Sequence, residues 1–219
     1  MDAKNHNNSL LKHTINDSFF HASCTVSITR LIQSKRVSRA QTSGSGTAGL
    51  LWVMMHRRKQ IMKESESLIH EIVSLIEIWE PKLSAIPEII LSGRRNNQNR
   101  SVKQILGHLI DSTSNNIHRV VHLQYQKSPF EFPNYASSGN NDRWIAIQNY
   151  QNVDWKALIQ LWKYSLLHYC HVIKNIDASR LENEWIAGPD RKITLRTLLG
   201  LFLEHIKLHL SEIDELIER

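Results

Sequence analysis

Thr194–Arg219, TLRTLLGLFLEHIKLHLSEIDELIER, is the stretch whose reading decides the fold. Leu198, Phe202, His205, His209 and Ile213 follow one another at steps of 4, 3, 4 and 4 residues. That spacing marks the buried stripe of an amphipathic α-helix. Thr194 is a good N-cap, and the pattern continues nearly to Arg219. Two histidines therefore sit on the face that must meet a core. Residues at i and i+4 are about 5–6 Å apart at Cβ, which suits two imidazoles sharing one ion. The competing readings of such a pair are buried, hydrogen-bonded histidines or a helix face turned to water. Two imidazoles in an apolar stripe favour the ion, because each must stay neutral or find a partner.

Three more helices precede this one. Leu68, Ile69, Ile72, Val73, Ile76 and Trp79 predict a helix over 64–79 that stops at Pro81, since the residue before a proline disfavours helical dihedrals. Ser101, with Gln104 three residues on, has the form of a capping box and opens a second helix reaching about Tyr125. A third opens at Asp154 and carries Trp155, Leu158, Ile159, Trp162 and Leu166. Between the second and third lies a Pro-, Asn-, Ser- and Gly-rich stretch, 126–141, with a short helix expected over 142–150. Residues 177–191 read as irregular, with a turn at Gly188-Pro189-Asp190. Strand signals are almost absent, so the expected class is all-α, a four-helix bundle with long crossover loops. The connection between the second and third helices can cross the bundle end, and strict up-down-up-down order is not required.

Of 219 residues, 41% are hydrophobic and 22% charged, as in ordinary globular chains. The net charge of +6 invites a nucleic-acid reading, but its distribution opposes one. Residues 1–61 hold 9 Lys and Arg against 2 acids; residues 62–219 hold 18 against 19. A phosphate-binding face would need clustered cations on the folded part. Residues 1–61 are also rich in Ser, Thr and Asn and show no sustained helical period. They are expected to be a disordered extension, either an over-extended reading frame before a natural start at Met62 or an organelle transit peptide. The folded domain is expected over 62–219. Two cysteines without a CxxC pair argue against a disulfide framework and fit a reducing, cytoplasmic compartment. No apolar run approaches the roughly 20 residues of a membrane span, so no membrane partner is expected.

His108, in the apolar stretch Ile105–Asp111, is the candidate third ligand; alone it would read as an ordinary core histidine. Gly107 beside it permits close approach of another element, and Asp111 lies one turn on. His118 and His122 stand about 15–21 Å along the same helix from His108, too far for His122 to share its ion. His168 and His171 flank Cys170 and read as solvent-facing. HIKLH lacks the glutamate of an HExxH zinc protease, and the acids of a di-iron bundle are missing.

Ser101–Ser112, SVKQILGHLIDS, resembles the hallmark of the DinB-like family, as does His205–Ile213, HIKLHLSEI. Asp142-Arg143-Trp144 and Tyr150 resemble the family's loop before the third helix. The resemblance covers essentially 62–219. It implies a four-helix bundle that binds a divalent metal, often zinc or nickel, through His108, His205 and His209. Some relatives are thiol-dependent transferases or isomerases that use bacillithiol, mycothiol or glutathione. Glu212 departs from the glutamine that relatives often carry there.

The expected function is thus a metal site with an open fourth position, acting on a small-molecule substrate by thiol S-transfer or hydrolysis. Asp111 and Tyr150 are the candidates for proton handling, and Trp144 and Trp185 for lining the mouth. The alternative is a non-catalytic metal-binding protein, with the ion bracing the bundle. A homodimer is compatible with either.

Overall fold

The computed structural model describes residues 46–136 and 139–219. The chain divides at Met55/His56 into two units. Of the first, the described part, 46–55, is the opening of a helix. Residues 1–45 of the expected extension lie outside the described residues.

Four long helices carry the fold: α1 (Gly46–Ser84), α3 (Val102–Tyr125), α5 (Trp155–Lys174) and α6 (Leu195–Glu218). Short helices α2 (Glu88–Gly93) and α4 (Asn140–Gln148) lie in the connections. The expected caps form. The Ser101 hydroxyl accepts from Gln104 N while Gln104 Oε1 accepts from Ser101 N. Asp154 caps α5 through Ala157 N, and Thr194 caps α6 through Thr197 N. One core joins the helices, with Ile72, Leu83, Leu106, Leu109, Trp162, Tyr169, Ile206 and Ile213 essentially inaccessible. At roughly 1.5–3 kcal/mol for each large apolar side chain buried, these contacts dominate the helix packing.

Cross-helix contacts fix the directions. Along α1 and α6, Glu64 pairs with Arg196, Glu71 with Lys207, and Lys82 with Asp214, so these helices run parallel. Glu80 meets Lys163 of α5 while the Leu83 carbonyl accepts from Trp155 Nε1, so α1 and α5 are antiparallel. Lys103 reaches Val153 before α5, and Gln124 accepts from Asp177 N after it, so α3 and α5 are parallel. The order is therefore up-down-down-up. The connection from α3 to α5 must return the length of the bundle, which is why it is long.

Three expectations need correction. Helix α1 does not stop at Pro81 but continues to Ser84. Proline removes one backbone bond there, whereas burying Leu83 and fixing its carbonyl to Trp155 hold the last turn. Residues 46–61 are helical, although they lack an amphipathic period. Ala, Leu, Met, Arg, Lys and Gln are strong helix formers and propagate a helix nucleated further on. Strands are present: β1 (Phe130–Glu131) pairs parallel with β2 (Glu184–Gly188), and β2 pairs antiparallel with β3 (Arg191–Thr194). The region read as irregular is this hairpin, turning at Pro189-Asp190.

Candidate metal centre

The returning connection lays its residues against α3 and the two residues before it. Tyr135 reaches Ser112, Asp142 reaches Arg100, Tyr150 reaches Asp111, and Gln151 reaches Ser101. Helix α6 packs against the same stretch of α3. The result brings His108 against His205 and His209, with ring centroids 5.3 and 4.6 Å away; His205 and His209 are 4.4 Å apart. One ligand atom from each lies within 4.8 Å of the others. All three rings are nearly perpendicular or steeply inclined to one another.

Each imidazole is held by a neighbour. His209 Nδ1 lies 3.0 Å from Glu212 Oε2, which also accepts from Asn96 Nδ2 at 3.1 Å. The carboxylate therefore claims Nδ1 and leaves Nε2 as the donor toward the centre. Burial alone would raise the Glu212 carboxyl, but the His209 hydrogen bond and charge, then Asn96 and Arg100, bring it below its ordinary value. His205 Nε2 lies 3.0 Å from Ser112 Oγ, and Ser112 also bonds the Tyr135 hydroxyl. That hydroxyl is 3.4 Å from His108 Nδ1. His108 is 3% exposed. Its burial, reinforced by the electrostatic influence of His209, His205 and Arg100, holds its pKa well below that of a free imidazole, so the ring is neutral and able to ligate.

Asp111 and Tyr150 meet as a pair beside this trio, with Tyr150 OH donating to Asp111 Oδ1 at 2.7 Å. Gln148 Nε2 donates to the same oxygen. Asp111 Oδ2 is buried without a hydrogen-bond partner, and burial raises the carboxyl pKa despite the two donors. The glycine at 107 makes this pair possible, because the Tyr150 ring lies where a side chain at 107 would be.

The remaining candidates separate. Trp144 packs on Tyr135 with the rings inclined at 58° and centroids 5.4 Å apart, and is partly exposed. Trp185 is buried against the Arg119 guanidinium and donates from Nε1 to the Phe132 carbonyl. His118 stacks with Phe132 and His122 with Phe130, and His168 and His171 face solvent. Sequence reasoning missed Tyr135, Arg100 and the supporting role of Glu212. Glu212 had a legible signal, one turn after His209; Tyr135, in an aperiodic connection, had none.

The donor set fits a divalent ion. It comprises three imidazoles on two rigid helices, one ring oriented by a carboxylate as metal-ligating histidines commonly are. No helix among the described residues is long and apolar enough to cross a membrane. No curated protein matches the chain. A solved structure described as "YfiT from Bacillus subtilis is a probable metal-dependent hydrolase with an unusual four-helix bundle topology" is similar. It has a TM-score of 0.52 and 18% identity, covering 82% of this chain and 91% of that one. At that identity the likeness speaks to the fold. The sequence pattern of the DinB superfamily matches residues 77–213, which span the trio from His108 through His209, and the chain belongs to that superfamily.

Proposed function

We propose that the protein is a divalent-metal-dependent enzyme acting on a small molecule, by hydrolysis or by transfer to a low-molecular-weight thiol. The convergence of His108, His205 and His209 within 4.8 Å carries this reading, because no fourth Cys, His, Asp or Glu joins the group among the described residues. Structural zinc sites are closed by four protein ligands, whereas catalytic ones use three. When bound, a divalent ion on three neutral imidazoles would lower the pKa of a water or thiol reaching it, to about 7 for water. Zinc and nickel both suit such a set.

The chain's own residues supply orientation and proton handling. Glu212 fixes the tautomer of His209, and the Ser112–Tyr135 pair steadies His205 and His108. Asp111 Oδ2 is a buried acceptor with capacity to spare, and Tyr150 holds its other oxygen in place. Asp111 can thus receive the proton released when the nucleophile forms. The YfiT description, a probable metal-dependent hydrolase, is consistent with this chemistry.

The test is elemental analysis of the full-length protein grown with zinc and nickel, beside His108→Ala and His205→Ala. About one equivalent of metal, lost in both variants, supports the site. Ester hydrolysis and thiol-conjugation assays on the loaded protein then distinguish the two reactions. A parent without metal would reduce the trio to core histidines.

A further inference from the structure

Two arginines of α3 and its N-terminal approach are equally buried, and only one has a counter-charge. Arg100, 4% exposed, donates from Nε at 3.1 Å and from Nη2 at 2.7 Å to Asp142 Oδ1. Arg119, 5% exposed, makes no ion pair with any carboxylate among the described residues. Its Nε is buried without an acceptor, and Nη2 has only a long contact, 3.4 Å, to Asn134 Oδ1. The guanidinium is stacked on Trp185, 4.2 Å from its centroid, with Phe132 at 5.9 Å. Burial pushes its pKa down to about 10, so it remains a cation at neutral pH.

A buried cation with an unsatisfied donor is costly, and proteins keep such groups where something binds. Stacking on Trp185 offsets part of that cost and occupies the face of the guanidinium, while its Nε–Nη2 edge meets only Asn134 Oδ1, at 3.4 Å. The Nε–Nη2 edge is the one that grips a carboxylate through two parallel N–H donors. The position also points to the metal centre. His108, Ser112, Asn115 and Arg119 are spaced 4, 3 and 4 along α3, so they share one buried face. Side chains on a helix lean toward its N-terminus, here toward His108. Eleven residues at about 1.5 Å each separate the two positions by roughly 16 Å along α3. Both side chains lean the same way, so only the longer reach of arginine shortens this, to on the order of 15 Å. The segment Phe132–Tyr135 spans the interval, touching Arg119 at one end and His108 at the other.

We propose that Arg119 is a specificity residue that binds a carboxylate of the substrate, one carried on the order of 15 Å from the group that reacts at the three histidines. This rests on the metal-enzyme reading for the reaction, but the anion site itself does not require metal. The substrate class is therefore an extended carboxylic acid, and a thiol cosubstrate bearing a carboxylate remote from its sulfur meets the description.

The test uses full-length protein stripped with chelator, and the same protein loaded with zinc. Each is titrated calorimetrically with succinate, or with inorganic phosphate, at ionic strength held constant with chloride. Saturable succinate binding to the metal-free protein, at least tenfold weaker in Arg119→Lys and absent in Arg119→Met, is the expected result. Lysine keeps the charge but loses the fork. Preference for phosphate would overturn the carboxylate assignment. Binding that appears only with zinc and is unchanged in Arg119→Met would be coordination to the ion, and would overturn the proposal. So would the absence of saturable binding. If Arg119→Met fails to fold by circular dichroism, the parent and Arg119→Lys decide the matter. Succinate binding in a parent that takes up no metal would leave the anion site standing and sink the metal enzyme alone.

Discussion

Replacing Gly107 with alanine tests the arrangement beneath the metal centre. A Cβ at 107 would fall under 3.0 Å from Cγ, Cδ2 and Cε2 of Tyr150. Ordinary carbon contacts are about 3.5–4.0 Å, so the ring must retreat by roughly 1 Å or more. Tyr150 is buried, and its hydroxyl sits 2.7 Å from Asp111 Oδ1, so that retreat strains the packing and stretches the hydrogen bond past usefulness. Overpacking costs about 1–3 kcal/mol, and losing a hydrogen bond to a charged group about 1.5–3 kcal/mol. Alanine's better helix propensity returns about 1 kcal/mol. The net loss is about 1.5–5 kcal/mol, which lowers Tm by roughly 3–20 °C in a chain of this size. Metal content should be unchanged, because His108 keeps its own place on α3. The assay is thermal and urea unfolding of Gly107→Ala, Tyr150→Ala and the double variant. With the ring gone, the alanine should cost nothing further or stabilise slightly, a coupling that contact residues show and distant ones do not. A Gly107→Ala protein as stable as the parent, or costs that simply add, would refute the reasoning.

Glu212→Gln should weaken metal affinity about 10–100-fold without abolishing it, since a neutral amide orients His209 less strongly than a carboxylate; competition with a chromogenic chelator measures this. Metal affinity should fall as pH drops, because protons compete with the ion for the imidazole nitrogens, and chelator titrations at pH 5.5 and 7.5 read it. Asp111 has a folded-state pKa raised by burial, so the native state binds its proton more tightly than the unfolded chain does. The parent therefore loses stability as pH rises from about 4 through the raised pKa. Asp111→Asn lacks that loss, so its stability relative to the parent should improve between pH 4 and 7 in metal-free protein; urea unfolding at both values checks the sign.

Much of this protein was legible in order along the chain. The stripe Leu198, Phe202, His205, His209 and Ile213 specified a buried helical face, and the caps at Ser101, Asp154 and Thr194 placed three helix starts. These features depend on contacts within four residues, and periodicity and side-chain chemistry suffice to read them. His108 came from the same logic and from the family pattern. Other features were decided only by packing between segments far apart in sequence. The parallel course of α3 and α5 made the connection between them run back along the bundle and delivered Tyr135 and Tyr150 to α3. The small sheet formed because Phe130 and Trp185, 55 positions apart, came side by side. Pro81 stayed helical because Leu83 had a core to enter and Trp155 a carbonyl to hold. Local sequence determines which helices form and which face each one hides, because those choices are made within a turn or two. Which buried cation goes without a carboxylate, as Arg119 does and Arg100 does not, depends on what the rest of the chain brings within reach, and only the tertiary structure decides that.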